Sequence, residues 1–293
     1  MKTRSLIYLS IYAAMLAMGH ILQKMVLNHG VDRFVFAFLR IGTGFLLISL
    51  LLLAKKYRPV ELIKKNMRHF VVLGVCFSGI GIILKLWGLS LTTATNAAFI
   101  MSLSSVALVI FAYVLLKEQA PKRFYVVVAL MIGGVYLVTT GGKQLLPHLG
   151  DMIIFALAFL IGFMHVYGKK VLRTLSVIET AWGRSLVGMT FLGLMVLVVS
   201  PQGFSTISGF PVLLLVLSNG ITFSGSVILF YKALQVEGAS NTGTFSLLVP
   251  VITAVLGYLL LSEVMNLYQV IGGMVILTGS YFISRLKIKQ ANF

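Results

Sequence analysis

Apolar residues along this chain fall in long uninterrupted blocks separated by short polar stretches. Ten blocks can be drawn, at roughly 6–26, 34–54, 69–87, 92–116, 123–140, 151–168, 178–200, 210–231, 239–261 and 267–285. Each is near the ~20 residues that a helix rising 1.5 Å per residue needs to cross a hydrocarbon layer about 30 Å thick. Anything other than a helix or a closed barrel would leave backbone groups unsatisfied in lipid, and blocks this long read as helices. The pattern predicts an all-α polytopic membrane protein with ten transmembrane helices. The longest connections, Lys55–Arg68 and Gly141–Gly150, are too short to hold a soluble domain with its own core, so residues 1–293 form one membrane domain.

The blocks also repeat. Ala94–Glu118 (ATNAAFIMSLSSVALVIFAYVLLKE) returns as Ala239–Glu263 (ASNTGTFSLLVPVITAVLGYLLLSE), 145 positions later. Over Leu89–Val138 the same gapless offset yields 11 identities in 50 positions, among them Asn96, Tyr113, Glu118 and Gly134. His20, Lys24, Val26 and Leu27 recur as His165, Lys169, Val171 and Leu172, and Ala37, Arg40 and Gly44 recur one residue out of step as Ala181, Arg184 and Gly188. The unit is five helices, with a first repeat at 1–142 and a second at 143–293. Five is odd, so the two copies enter the membrane from opposite sides, the inverted repeat of many secondary transporters.

Composition agrees with a bilayer protein: 59% hydrophobic and 11% charged, with a mean hydropathy of +1.01, against about 25% charged residues in soluble domains. The net charge of +17 invites a nucleic-acid reading, and its distribution argues against one. With a cytoplasmic N-terminus, 18 of the 24 Lys and Arg fall on the cytoplasmic side, in the clusters around Lys2, Lys55, Lys64, Lys117, Lys169, Lys232 and Arg285. Only Lys24, Arg33, Lys85 and Lys143 lie toward the opposite side, while Arg40 and Arg184 lie inside spans. This is the positive-inside bias, which places both termini in the cytoplasm and turns the basic loops toward anionic headgroups. The first block is too long for a signal-peptide core and is not closed by an A-x-A site, so it is expected to be retained. A single cysteine, Cys76, allows no disulfide framework within one chain.

On these residues the chain resembles the ten-helix EamA branch of the drug/metabolite transporter superfamily. The resemblance lies in LTTATNAAFIMSLSSV…LLKE, in its copy VEGASNTGTFSLLVPVITAVLGYLLLSE…IGGMVILTG, and in the arginines of FLRIGTG and GRSLVG, and it covers nearly the whole chain. It implies a metabolite carrier, with amino-acid export the commonest activity, in a family that also handles sugars, nucleotide derivatives, cations and drugs. Two departures stand out. The family's midway proline in helices four and nine is present only as Pro250, opposite Ser105, and its common Trp in helix one is replaced by the neighbourhood of Leu16 and Gly19. Proline kinks a helix by freeing a carbonyl, whereas serine bends it more mildly by bonding back to the preceding turn.

No HExxH, no phosphate-cradling Gly-x4-Gly-Lys-Ser/Thr and no intramembrane carboxylate pair occurs, so no enzyme chemistry, metal site or cofactor is expected. All seven acids fall in loops or at helix ends, which leaves histidine, with its ordinary pKa of about 6.5, as the group available for proton coupling. His20 and His165, symmetry mates deep in helices one and six, either do this or form interhelical hydrogen bonds. Arg40 and Arg184, each about six residues in from opposite faces, either gate those faces or snorkel to the headgroups. Glu118 and Glu263 likewise end helices four and nine at opposite faces, as a symmetric gate or as plain helix ends. Lys85 either pairs with a substrate carboxylate or snorkels past the interfacial Trp87. Asn96, Ser102, Asn219 and Asn241 are polar candidates for substrate contact, and Phe99, Phe223, Tyr231 and Phe245 candidate walls; close packing explains the polar set equally, and helix capping explains Asn96 and Asn241. Ser105 and Pro250 are candidate bending points.

The expected function is alternating-access transport of a small amphipathic metabolite, an amino acid or related compound, with export favoured. The alternative is a same-fold carrier of an organic cation, nucleotide-like metabolite or drug by import or exchange; a receptor or an intramembrane enzyme is more remote. The expected setting is a bacterial inner membrane, and the expected partners are a small-molecule substrate and the lipid bilayer, with room for a homodimer and no nucleic acid.

Overall fold

A computed structural model of the chain describes residues 3–54, 59–116, 121, 123–143 and 146–285, with side chains described there except at 3–6, 59–60, 112–113, 115–116, 169, 230–231 and 233–245. Among the described residues every element is a helix. In chain order they are α1 (Thr3–Asn28), α2 (Arg33–Ala54), α3 (Pro59–Val71, Val72–Ile80 and Gly81–Leu91 in one run), α4 (Ala94–Met101 and Ser104–Leu116), and α5 (Arg123–Thr140). Then follow α6 (Leu149–Val171), α7 (Val177–Val199), α8 (Phe210–Ser246), α9 (Leu248–Leu261) and α10 (Leu267–Arg285), with a short 3-10 turn at Gly203–Thr206. Among the described residues nine stretches are long and apolar enough to cross a membrane, and Leu248–Leu261 is a shorter apolar helix. Their outward faces carry Leu46, Leu50, Leu53, Leu197 and Val198, large apolar side chains that only lipid can cover. The chain is an integral membrane protein.

Local chemistry sets the helix ends. Asp32 Oδ1 accepts from the amides of Phe34 and Val35 at 2.9 and 3.0 Å and starts α2, just after Gly30 turns the chain at a φ of 73°. Ser176 and Glu179 form a reciprocal capping box at the start of α7. The α3 helix begins ten residues earlier than its apolar block, because Pro59 suits a first helical position and Leu62 packs into the cluster holding Ala181 and Trp182. Its middle, Val72–Ile80, is wound as a π-helix closed by the Gly81 amide bonding to Cys76 O.

The expected boundary between helices eight and nine is corrected: α8 runs 37 residues, through 232–238, and the break falls at Leu247. The segment KALQVE before Gly238 is made of residues that tolerate a helix, whereas Pro250 fits the first turn of the next helix, where a missing N–H costs nothing.

Helix contacts are related by a two-fold exchange of the halves. α1 packs on α8 and α9, and α6 packs on α3 and α4; α2 packs on α8, and α7 on the π stretch of α3. Along the exchange axis α2 meets α7, α5 meets α10, and the first half of α4 meets α9. Advancing every helix by five reproduces the set, so the architecture is two five-helix repeats, inverted because each repeat crosses an odd number of times. The repeat glycines show why the sequence permits it: a Cβ on Gly44 would lie 2.6 Å from Ser224 Oγ, and one on Gly188 would lie 2.5 Å from Ser78 Cβ. Without side chains, α2 and α7 let those serines seat against their backbones, the close approach that association in lipid relies on.

Candidate functional site

Between the halves lies a cavity of about 300 Å³, walled by residues of α1, α2, α3, α4, α6, α7, α8 and α9. It forms where both central helices are interrupted. In α4 the turn at Ser102–Leu103 separates two helical pieces, and in α9 the start at Leu248 follows the turn at Leu247, the position equivalent to Ser102 at the 145-residue offset. Ser102 Oγ donates to Ala98 O at 3.3 Å, the carbonyl that the Ser102 amide has left for Phe99 O, and Ser105 Oγ and its own amide both donate to Ser102 O, at 2.8 and 3.2 Å. Ser104 and Ser105 at one helix start, and Val249 and Pro250 at the other, face the same space.

Three cationic side chains, Arg40, Lys85 and Arg184, line this cavity, and no Asp or Glu is among the described residues that do. The Arg40 guanidinium sits 3.9 Å from the centre of the Phe223 ring; that of Arg184 lies 4.7 Å from Phe77 and 5.7 Å from Phe223. Phe223 therefore holds both symmetry-related arginines through cation–π contact. Snorkelling does not occur at these three positions: Arg40 and Arg184 are 3% exposed and Lys85 8%, and all turn inward. Nor do the arginines stand at separate faces, since both reach one cavity. The interfacial reading fits Trp87 instead, which is exposed with Arg33 stacked 5.9 Å away.

His20 lines the cavity at 3% exposure with neither ring nitrogen hydrogen-bonded, and Ser78 Oγ is likewise without a partner. His165, its symmetry mate, lines the opposite wall with its ring 6.4 Å from Phe77. Of the sequence candidates, His20, Lys85, Ser102, His165, Phe223, Arg40, Arg184, Ser105 and Pro250 thus come together around one space. Tyr12, Phe77 and the apolar Leu108, Leu157 and Leu160 join them without having been singled out by the sequence. They carry no polar signature of depth, and only helix facing could have indicated them.

The remaining candidates lie elsewhere. Asn219 is fully buried and donates to Gly19 O at 2.8 Å, pinning α8 to α1. Phe99 is buried in the core against Gly273 of α10. Asn96 takes a hydrogen bond from Gln269 Nε2 at 3.2 Å and lines a separate polar cavity beside Lys143 and Asn266. Glu263 accepts from the amides of Ala94 and Thr95 at 2.7 and 2.9 Å and from Thr95 Oγ1 at 2.7 Å, so it caps α4. Around it Lys24 donates to Leu89 O and Thr92 O at 2.9 and 2.6 Å, and Thr92 Oγ1 donates to Asp151 at 2.5 Å. These bonds join α1, α3, α4, α6 and the segment after α9 in one polar network at this end of the helix bundle. Glu118 lies outside the described residues, and the side chains of Tyr231, Asn241 and Phe245 lie outside those described.

A ten-helix, two-repeat membrane bundle with a largely apolar cavity, set with a few polar and cationic groups at paired helix breaks, is the form of a secondary carrier. The model of the EamA-like transporter family matches residues 3–140 and 148–285, and the chain belongs to that family. It is 29% identical to an uncharacterized transporter of Methanothermobacter thermautotrophicus over 69% of this chain, a match that spans 60% of that relative's length. It is 27% identical to the uncharacterized transporter YyaM of Bacillus subtilis over 74% of this chain and 73% of the relative. The riboflavin transporter ImpX of Fusobacterium nucleatum subsp. nucleatum is 24% identical over 82% of this chain and 84% of its own. A solved crystal structure superposes over 94% of this chain and 98% of the other with a TM-score of 0.59 at 15% identity, which speaks to the fold alone.

Proposed function

We propose that this transporter moves a small amphipathic metabolite, an amino acid or related compound, across the cytoplasmic membrane by alternating access, with export as the favoured direction. The observation that carries this reading is the cavity onto which the breaks of both α4 and α9 open, polar at His20, Ser78, Lys85 and Ser102 and apolar at Leu108, Leu157 and Leu160. A solute with one polar and one apolar end matches such a lining. The basic loops support cytoplasmic termini, which puts the network around Glu263 at the outer end. Uptake and counterflow in proteoliposomes, run with a panel of labelled amino acids and related metabolites, test the proposal; a panel that yields no saturable flux in either direction overturns it.

A second reading follows from the riboflavin transporter among the relatives. A flat heteroaromatic solute could stack where Phe77 and Phe223 stand beside the arginines. Riboflavin in the same panel decides between them. Coupling to protons would pass through His20 and His165, and an unchanged pH profile of transport in the His20→Ala, His165→Ala double variant would sink that role.

A further inference from the structure

We infer that the cargo is a net organic anion, a carboxylate on an apolar body, and that Lys85 is the residue selecting it over the zwitterionic amino acid of the same skeleton. The inference rests on the transporter reading and narrows its substrate, within amino acids and related compounds, to the related carboxylates that lack a free ammonium.

Four observations converge. Lys85 is buried, lines the cavity and has no carboxylate beside it among the described lining residues. Arg40, on the same cavity, has its face covered by Phe223 and its Nε without a hydrogen-bond acceptor. His20 presents two buried ring nitrogens, also without partners, to the same space. The helices Ser104–Leu116 and Leu248–Leu261 begin at this wall, with Ser104, Ser105, Val249 and Pro250 among its residues. Their N-terminal ends carry the positive pole of the helix dipole, which adds to the fixed cations.

Potentials of one sign within a low-dielectric wall favour a ligand of the other sign. A carboxylate can take charge-assisted hydrogen bonds from Lys85 and neutral ones from His20 and Ser78. The ammonium of a free amino acid would stand among cations with no acid to receive it, and burying a charge without a partner is costly. The apolar body of the ligand would lie along Leu108, Leu157 and Leu160. In position Lys85 breaks the internal symmetry, since its equivalent in the second repeat is Phe230. The charge therefore belongs to one side of the cavity, which orients the carboxylate toward α3.

The test uses the purified full chain in detergent, with matched triads: a carboxylate, its primary amide and the α-amino acid of the same skeleton, from butanoate to 3-phenylpropanoate. Thermal stabilisation and displacement are read at pH 7. At least one carboxylate is expected to bind about tenfold or more tightly than its amide and its amino acid, and Lys85→Met to remove that preference by a similar factor. Lys85→Arg should keep the preference for a carboxylate over its amide, and it serves as the second variant should Lys85→Met fail to fold. Equal binding of amide or amino acid, no binding of any carboxylate, or an unaltered preference in Lys85→Met overturns the inference. Proteoliposome flux separates the two readings: charge-blind transport leaves the transporter proposal standing and removes this one. Carboxylate binding without flux removes the transporter proposal, and with it the role of cargo, and leaves only an anion-selective site at Lys85.

Discussion

Lys85 and Asn219 are both buried polar side chains in the helix bundle, and substitution should move stability in opposite directions at the two. Lys85 buries its amine at 8% exposure with no carboxylate among the described lining residues, and an ionisable group so placed is costly whether it keeps its proton or gives it up. Lys85→Met keeps the length of the side chain and removes that cost. The ligand-free variant should melt no lower than the parent, and about 2–4 °C higher for each 1 kcal/mol recovered. Asn219→Leu instead removes the bond to Gly19 O that pins α8 to α1, and it should lower stability by about 0.6–1.7 kcal/mol with ligand preference unchanged. A differential scanning measurement with and without a bound carboxylate reads both. The residue-scale picture was legible in part. Sequence depth placed Arg40 and Arg184 six residues in from opposite faces, about 9 Å of helix, which leaves ~6 Å to the bilayer centre. That remainder is within reach of an extended Arg side chain directed inward, and depth alone does not tell which way the side chain turns. Phe223 decides it, by taking both guanidinium groups onto one ring.

At the scale of the element, the repeat stretch Ala94–Glu118 set the expectations, and its observed interruption departs from them in an informative way. A serine in place of the family proline should bend α4 only mildly, yet the turn at Ser102–Leu103 breaks it at the place equivalent to the break before α9. The Ser102 hydroxyl accounts for part of this, because it takes the Ala98 carbonyl in place of the Ser102 amide, which turns to Phe99 O. The opposite departure occurs in α8, where the apolar blocks 210–231 and 239–261 predict a boundary and the helix continues to Ser246. The start of α4 depends on a residue of the other repeat, Glu263, whose role no local signal could reveal across 169 positions. Glu263→Ala leaves the Ala94 and Thr95 amides without their acceptor, and a buried donor so stranded costs about 1–3 kcal/mol. Hydrogen exchange at residues 94–96 should accelerate in that variant, while Glu263→Gln, which keeps one acceptor oxygen, should lie between it and the parent. Exchange that is unchanged in Glu263→Ala would show that Glu263 does not hold the start of α4.

For the whole molecule, the proposed alternating access would make the cavity between the inverted halves the point about which the helix bundle rocks, and the cationic groups in it would pass through every occluded state. With a carboxylate bound, Lys85 and Arg40 are compensated during that passage. Empty, they must be occluded without a counter-charge, since no acid is among the described residues that line the space. The loaded carrier should therefore reorient faster than the empty one, and each 1.4 kcal/mol of difference is worth about a factor of ten in rate. Efflux of a labelled carboxylate from proteoliposomes should accelerate about tenfold or more when the same carboxylate is supplied outside. In Lys85→Met the empty carrier loses one of its unpartnered ionisable groups, so its unaided return should become faster and the acceleration by external ligand should shrink. A carrier whose efflux ignores external ligand would contradict this. It would mean that water entering the cavity, and not the cargo, screens the cations as the halves move.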